Sequence, residues 1–166
     1  MSLAQALIRD VQSESTMTRA ILEAVPEEKL DWKPHERSMS LGQLAGHLAE
    51  APSWHSSMGQ DVFDFAAELK DYRPFVPANR AELLAAYDKN VGDFLAFLEG
   101  KDDDFMNATW RGVAGEEEKM AGPREVMMRS ILLRHVSHHR GQLTVYLRML
   151  NVPVPTTYGP TADFPG

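Results

Sequence analysis

The sequence predicts an all-α fold, a four-helix bundle with long connecting loops. Four long segments place apolar residues at helical spacing, and no stretch keeps the alternation of apolar and polar residues that is typical of a strand. The chain of 166 residues, with 43% hydrophobic residues, suits a single domain over 1–166 with its own core. The pattern leaves the spatial order of the helices open.

The first two helices have clear boundaries in the sequence. The first is predicted over about 2–24, because its apolar residues lie broadly on one side and Pro26 stops it. The second opens with Ser40 and Gln43, which have the spacing of a capping box. It runs to Pro52, where the helix must bend or end.

The third and fourth helices also carry boundary signals. Asn79 is the predicted N-cap of the third, with Glu82 three residues later as its reciprocal cap, and Gly100 follows its end. The fourth is predicted to start at Pro123, because proline is favourable as a first helical residue. Its period continues through about Leu150.

The connections between these helices are long. The stretch 59–78 has enough apolar residues for an extension of the second helix or for a short extra helix. The connection 101–122 is rich in glycine and acidic residues, and an irregular tail follows the fourth helix. We therefore expect the regular structure to be confined to helices.

Composition and charge exclude several classes of function. The chain has no cysteine, which excludes disulfides, zinc sites with cysteine ligands, iron–sulfur clusters and a thiolate nucleophile. Its 24 acidic against 17 basic residues give a formal charge of −7, which disfavours binding to nucleic acid. No apolar run approaches the roughly 18 to 20 residues that span a bilayer. The N-terminus lacks the pattern of a secretory signal, so we expect a cytoplasmic protein with no membrane partner.

Three of the six histidines lie in the fourth predicted helix. At about 100° per residue, His135 and His139 fall in or at the edge of the apolar arc, whereas His138 lies beyond it. Two imidazoles four positions apart can direct their nitrogens at one metal ion. His47, near the inward side of the second helix, would complete a set of three if the two helices are neighbours. The alternative is a set of buried histidines that bond to a carbonyl or a carboxylate.

Other residues near these histidines have weaker signals. Glu50 and Asp163 are candidates for a general base, but each is more typical of a surface charge or a cap. Arg140 and Gln142 could orient groups behind the ligands or bind an anionic substrate, although an ion pair or a hydrogen bond between helices is the commoner use. His55 is expected at the surface or behind the ligands. Trp54, Tyr146 and Tyr158 could line the pocket, but packing in the core is the commoner use of such residues. Gly141 is expected to permit a close approach of helices.

Four segments together carry a resemblance to a known family. They are Trp32-Lys33-Pro34 with Ser38 to Leu41, Leu44-Ala45-Gly46-His47-Leu48, His135 through Leu143, and Tyr146 through Thr161. Over nearly the whole chain, the sequence resembles the DinB-like (YfiT-like) superfamily. The resemblance implies a four-helix bundle of that type, with a divalent metal ion held by His47, His135 and His139. Ligand type alone does not choose among Zn, Ni, Fe and Mn.

The predicted function is a metal-dependent enzyme that acts on a small molecule. An ion with three neutral ligands can lower the pKa of bound water or polarise a substrate oxygen, which favours hydrolysis. The resemblance also implies thiol transfer, because related proteins include thiol S-transferases that activate a low-molecular-weight thiol at the metal. It implies a homodimer as well. The alternative is a non-catalytic metal-binding or stress-associated bundle; DNA binding conflicts with the charge of −7.

Overall fold

The computed structural model describes residues 1–165, in which four long helical segments form the body of the protein. In chain order, the elements are α1 (Leu3–Glu23), a 3₁₀ turn (Glu27–Lys29), α2 (Leu41–Glu50), a 3₁₀ helix (Ala51–Gly59), β1 (Val62–Asp64), α3 (Phe65–Glu68), α4 (Arg80–Leu98), α5 (Asp103–Asn107), β2 (Thr109–Ala114), β3 (Glu117–Pro123), α6 (Arg124–Met128), a π-helix (Arg129–Arg134) and α7 (His135–Met149). Both α1 and α2 pack against α4 and α7. Within the described residues, the helices lack the combination of length and apolar character that a membrane span needs.

Local side-chain signals explain where α2 and α4 begin. Ser40 Oγ accepts a hydrogen bond from the Gln43 backbone, and the Gln43 side chain accepts one from the Ser40 backbone, which completes the predicted capping box. The Asn79 side chain accepts from the Glu82 backbone N–H at 2.8 Å, as expected for an N-cap. The Glu82 carboxylate accepts from Ala78 rather than from Asn79 itself.

The prediction of an all-α fold is wrong in one respect, because the protein contains a three-stranded sheet in the order β1-β2-β3. β2 pairs in parallel with β1 and antiparallel with β3. The strands lack a strong alternating signal because β3 is exposed along almost all of its length. In β2, Trp110 is buried, but Gly112 stands where the next apolar side chain would be. A Cβ at Gly112 would lie 2.6 Å from the Phe65 ring.

The stretch 59–78 contains β1 and the short extra helix α3, followed by an extended segment over residues 69–79 that we call the strap. The strap crosses α2 at Gly46. A Cβ on Gly46 would lie only 2.2 Å from the Phe75 carbonyl oxygen, so only glycine permits this approach. The strap therefore packs against the turn of α2 that carries His47.

The fourth predicted helix is not one continuous α-helix. Pro123 ends β3 and precedes α6, and residues 129–134 adopt a π-helix before α7 begins. α7 ends at Met149, and Asn151 takes a positive φ of 58° beyond it. A π-helix adds a residue to each turn, so it changes the direction in which the residues on either side of it point.

Two clusters of buried residues make up the core. The first joins α2, α4 and α7 through a set of apolar residues that includes Leu44, Leu48, Leu83, Leu143 and Leu147. The second joins α1, the sheet and the π-helix through a set that includes Leu7, Phe94, Met106, Trp110 and Leu132. Trp54, on the 3₁₀ helix Ala51–Gly59, packs against both clusters. We call this 3₁₀ helix the arm.

Candidate metal centre

His47, His135 and His139 lie together between α2 and α7. His135 opens α7 and His139 follows one turn later, so their imidazoles share a face of that helix. His47 projects from α2, and its Nε2 lies 2.8 Å from the Nε2 of His135. One ligand atom from each of the three side chains lies within 4.8 Å of the others. The structure thus brings together the three residues that the sequence analysis selected.

Burial keeps the three imidazoles neutral at pH 7. Burial, the largest cause, together with the neighbouring His139 and His135 lowers the pKa of His47 to about 4. Burial is also the main cause of the lowered pKa of His135 and of His139. Neutral imidazoles offer nitrogen lone pairs, and the described residues add no carboxylate to this cluster.

Gln142 fixes the tautomer of His139. The Nδ1 of His139 lies 2.7 Å from Oε1 of Gln142, which can only accept a hydrogen bond. Nδ1 therefore carries the proton, and the lone pair of His139 is left on Nε2. The sequence left open an orienting role for Gln142 toward groups behind the ligands; in the structure, Gln142 contacts the candidate ligand His139 directly.

Trp54 lies beside the histidines and also packs against both core clusters, so it combines the two roles between which the sequence left a choice. Its ring centroid is 5.2 Å from that of His47 and 5.2 Å from that of His135. It reaches them because α2 ends before Pro52 and the chain continues as the arm, whose direction cannot be read from the periodicity. In the sequence, the only indication of this placement is that a tryptophan follows His47 by seven residues.

The two candidate general bases are engaged elsewhere. Glu50 accepts a hydrogen bond from the Tyr72 hydroxyl at 2.5 Å and another from the Phe75 backbone, so it anchors the strap to α2. Asp163 forms an ion pair with Arg148 and accepts from the backbone of the tail. Neither carboxylate belongs to the cluster of possible ligand atoms.

Arg140 forms a buried ion pair on the side of α7 that faces α1. Its side chain is 2% exposed, and its guanidinium donates to the Glu14 carboxylate at 2.8 Å, to Thr18 Oγ1 at 3.0 Å and to the Tyr158 hydroxyl at 2.5 Å. Of the alternatives for Arg140, the structure favours the ion pair over the binding of an anionic substrate. Tyr158 is accordingly part of this network rather than of the core.

The remaining candidates differ in their surroundings. His55 Nδ1 donates to the Pro52 carbonyl at 2.8 Å, and its ring stacks on Phe94, so it lies apart from the cluster. His138 is exposed, as predicted for a flank residue. The expectation that Gly141 permits close helix packing is wrong, because a Cβ there would meet nothing within 4 Å.

The donor set fits a divalent transition metal. Nitrogen ligands about 2.0 to 2.1 Å from one zinc ion lie roughly 3 Å apart. The Nε2 atoms of His47 and His135 are 2.8 Å apart, and one nitrogen of His139 lies within 4.8 Å of both side chains. Three neutral imidazoles suit zinc, nickel and iron, and the surrounding side chains distinguish none of them. The alternative that the sequence left open, a histidine bonded to a carbonyl or a carboxylate, describes His139, whose Nδ1 bonds to the amide oxygen of Gln142, but not His47 and His135, which pair with each other.

Known proteins show the same fold. The chain is 26% identical over 156 residues to YrdA of Bacillus subtilis, covering 94% of this chain and 88% of that protein. A DinB-like protein from Bacillus cereus superposes with a TM-score of 0.68 at 24% identity, covering 89% of this chain and 92% of that one.

YfiT from Bacillus subtilis superposes with a TM-score of 0.65 at 15% identity, over 89% of this chain and 87% of that one. YfiT is described as a probable metal-dependent hydrolase with an unusual four-helix bundle topology. The sequence model of the DinB family matches residues 1–165, which is almost the full length of the chain. The chain therefore belongs to the DinB family.

Proposed function

We propose that this protein is a metal-dependent hydrolase of a small molecule, with a divalent ion held by His47, His135 and His139. The observation that carries the proposal is the convergence of three neutral imidazoles from two neighbouring helices, without a carboxylate in the cluster. The description of YfiT as a probable metal-dependent hydrolase supports the reaction class. The proposal treats the chain as a single catalytic domain.

The protein residues have defined tasks in such a site. A bound divalent ion supplies Lewis acidity and lowers the pKa of water, and three neutral ligands leave its charge undiminished. Gln142 holds His139 in the tautomer that presents Nε2. Trp54 packs edge-on beside His47 and His135 and adds an apolar contact to that side of them.

The test is a hydrolysis screen on protein purified without a metal-affinity tag. The protein is loaded separately with Zn, Ni, Mn and Fe and assayed against activated esters and amides. We expect turnover that a His135→Ala variant abolishes and that a His138→Ala variant retains, because His138 lies outside the cluster. A protein that binds one ion with no exchangeable position and turns over nothing would favour the non-catalytic alternative.

Thiol transfer belongs in the same screen, as pairs of an electrophile and a low-molecular-weight thiol. The chain has no cysteine, so any thiolate at the metal must come from a substrate or a cosubstrate. Turnover that occurs only when the thiol is present would indicate that the reaction is thiol transfer and not hydrolysis. A homodimer remains a prediction, which sedimentation analysis of the metal-loaded protein can test.

A further inference from the structure

Trp54 forms an apolar wall beside the candidate metal ligands. Its indole is equidistant from His47 and His135, with 5.2 Å between ring centroids in each case and interplanar angles of 62° and 63°. The side chain is half-buried, so it is not wholly enclosed by the two core clusters that it contacts. An aromatic face in this position can contact the part of a substrate that adjoins the reacting group.

The arm holds Trp54 firmly in place. The Trp54 carbonyl accepts a hydrogen bond from Ser57 Oγ at 2.7 Å, and the Ser57 carbonyl accepts one from Trp110 Nε1 at 2.9 Å. Buried Arg124 donates to the Met58 carbonyl at 2.9 Å. The sheet and α6 thus fix the arm, and a wall held in this way selects among substrates because it cannot easily move aside.

Two arginines flank the histidine motif, Arg134 at the end of the π-helix and Arg140 on α7, and both lie near residues of α1. Arg140 is committed to Glu14 and Thr18 of α1. Arg134 lines a cleft of about 440 Å³ with Asp10 and Glu14, also on the α1 side. Because both cations of the motif lie on that side, neither is available to recruit an anionic group to the histidines.

We propose that Trp54 is a specificity-determining residue that binds the apolar or aromatic part of an uncharged substrate beside the metal centre. This inference rests on the proposed function, since it assumes an ion with a position open to the substrate. Trp54 acts by contact with the substrate and not as a ligand. Removing the indole should therefore weaken the binding of an aromatic ligand more than the binding of a small ligand that has the same metal-binding group.

The test compares two hydroxamic acids that bind metal through the same group. Acetohydroxamic acid carries a methyl group, and benzohydroxamic acid carries a phenyl ring. Their affinities for the zinc-loaded protein are measured by calorimetry in the natural chain and in a Trp54→Leu variant, which keeps an apolar side chain between the two core clusters. A Trp54→Met variant serves the same purpose if the leucine variant is unfolded. Neither readout depends on catalytic activity.

We expect the natural chain to bind benzohydroxamic acid more tightly than acetohydroxamic acid. In the Trp54→Leu variant, the ratio of the two affinities should be about tenfold smaller, which is the effect expected for the loss of one aromatic contact. Acetohydroxamic acid should bind both proteins within about twofold. The matched control is Trp32→Leu, because Trp32 packs against Tyr146, two turns beyond His139. This variant should keep the full preference.

The outcomes separate the inference from the proposed function. If both acids bind and Trp54→Leu keeps the preference, or if Trp32→Leu loses it equally, the assignment of Trp54 is wrong while the metal site stands. If neither acid binds the zinc-loaded protein, the ion has no open position. The proposed function and the inference then both fail.

Discussion

Three imidazoles in contact would repel one another if they were protonated, and burial removes the water that would stabilise their charge. The lowered pKa values of His47, His135 and His139 all have burial as their main cause. The cluster is therefore ready to bind a cation at neutral pH without first releasing protons. His138, one residue from His139, is exposed and lies outside the cluster.

Replacing one histidine of α7 tests this distinction. His135→Ala should weaken zinc binding by about a hundredfold or more, because it removes one of three ligands. His138→Ala changes the same residue type three positions later and should bind zinc as the natural chain does. Competition with a chelator of known affinity measures both. Equal losses in the two variants would contradict the assignment of the ligands.

The lowered pKa values predict how the stability of the metal-free protein depends on pH. His47 has a pKa of about 4 in the folded chain, against 6.5 when exposed. The unfolded chain therefore binds more protons between these values, so the free energy of unfolding falls as pH drops from about 6.5 to about 4. Urea unfolding of chelator-treated protein should show this fall, and a His47→Gln variant should reduce it. A stability that is flat over this window in the natural chain would count against neutral, buried imidazoles.

The buried Arg140 should matter more to stability than an exposed arginine of the same helix. Arg140→Leu leaves the Glu14 carboxylate without its cation, which we expect to cost about 3 kcal/mol of the free energy of unfolding. Arg148→Leu removes an exposed pair with Asp163 and should cost less than about 1 kcal/mol. Denaturant unfolding compares them. Similar small losses would mean that the Arg140 pair is replaceable by packing.

At the scale of elements, the boundaries that depend on side-chain caps could be predicted, and those that depend on tertiary packing could not. Ser40 and Asn79 mark the starts of α2 and α4 because their side chains bond to backbone groups only a few residues away. The sheet, in contrast, depends on pairing between β1 and β2, which are distant in sequence. The π-helix and the direction of the arm likewise left no periodic signal, so the sequence favoured core packing for Trp54 over a place beside the site.

Glycine substitutions test how closely the strap must pack against α2. Gly46→Ala would place a methyl group against the Phe75 carbonyl, so the strap must shift, at a cost of about 2 kcal/mol. Because His47 is the next residue, zinc affinity should fall as well. Gly141→Ala, on the open side of α7, should instead stabilise the protein by about 0.5 to 1 kcal/mol. Urea midpoints and zinc titrations measure both. A tolerated Gly46→Ala would show that the strap is loosely held.

At the scale of the whole molecule, the candidate site joins parts of the chain that are far apart in sequence. His47 and His135 are separated by 88 positions and meet because α2 packs against α7. The sequence could identify the three histidines from helix faces and from the family resemblance. It could not establish that α2 and α7 are neighbours, since periodicity does not order the helices of a bundle. That adjacency is the contribution of the fold to the site.

The most direct test of the central claim is X-ray absorption spectroscopy on zinc-loaded protein purified without a metal-affinity tag. We expect one ion per chain, with three imidazole nitrogens at about 2.0 to 2.1 Å, no sulfur, and at least one further light-atom ligand from solvent. A first shell with fewer than three imidazoles, or one made mainly of carboxylate oxygens, would contradict a centre built from His47, His135 and His139.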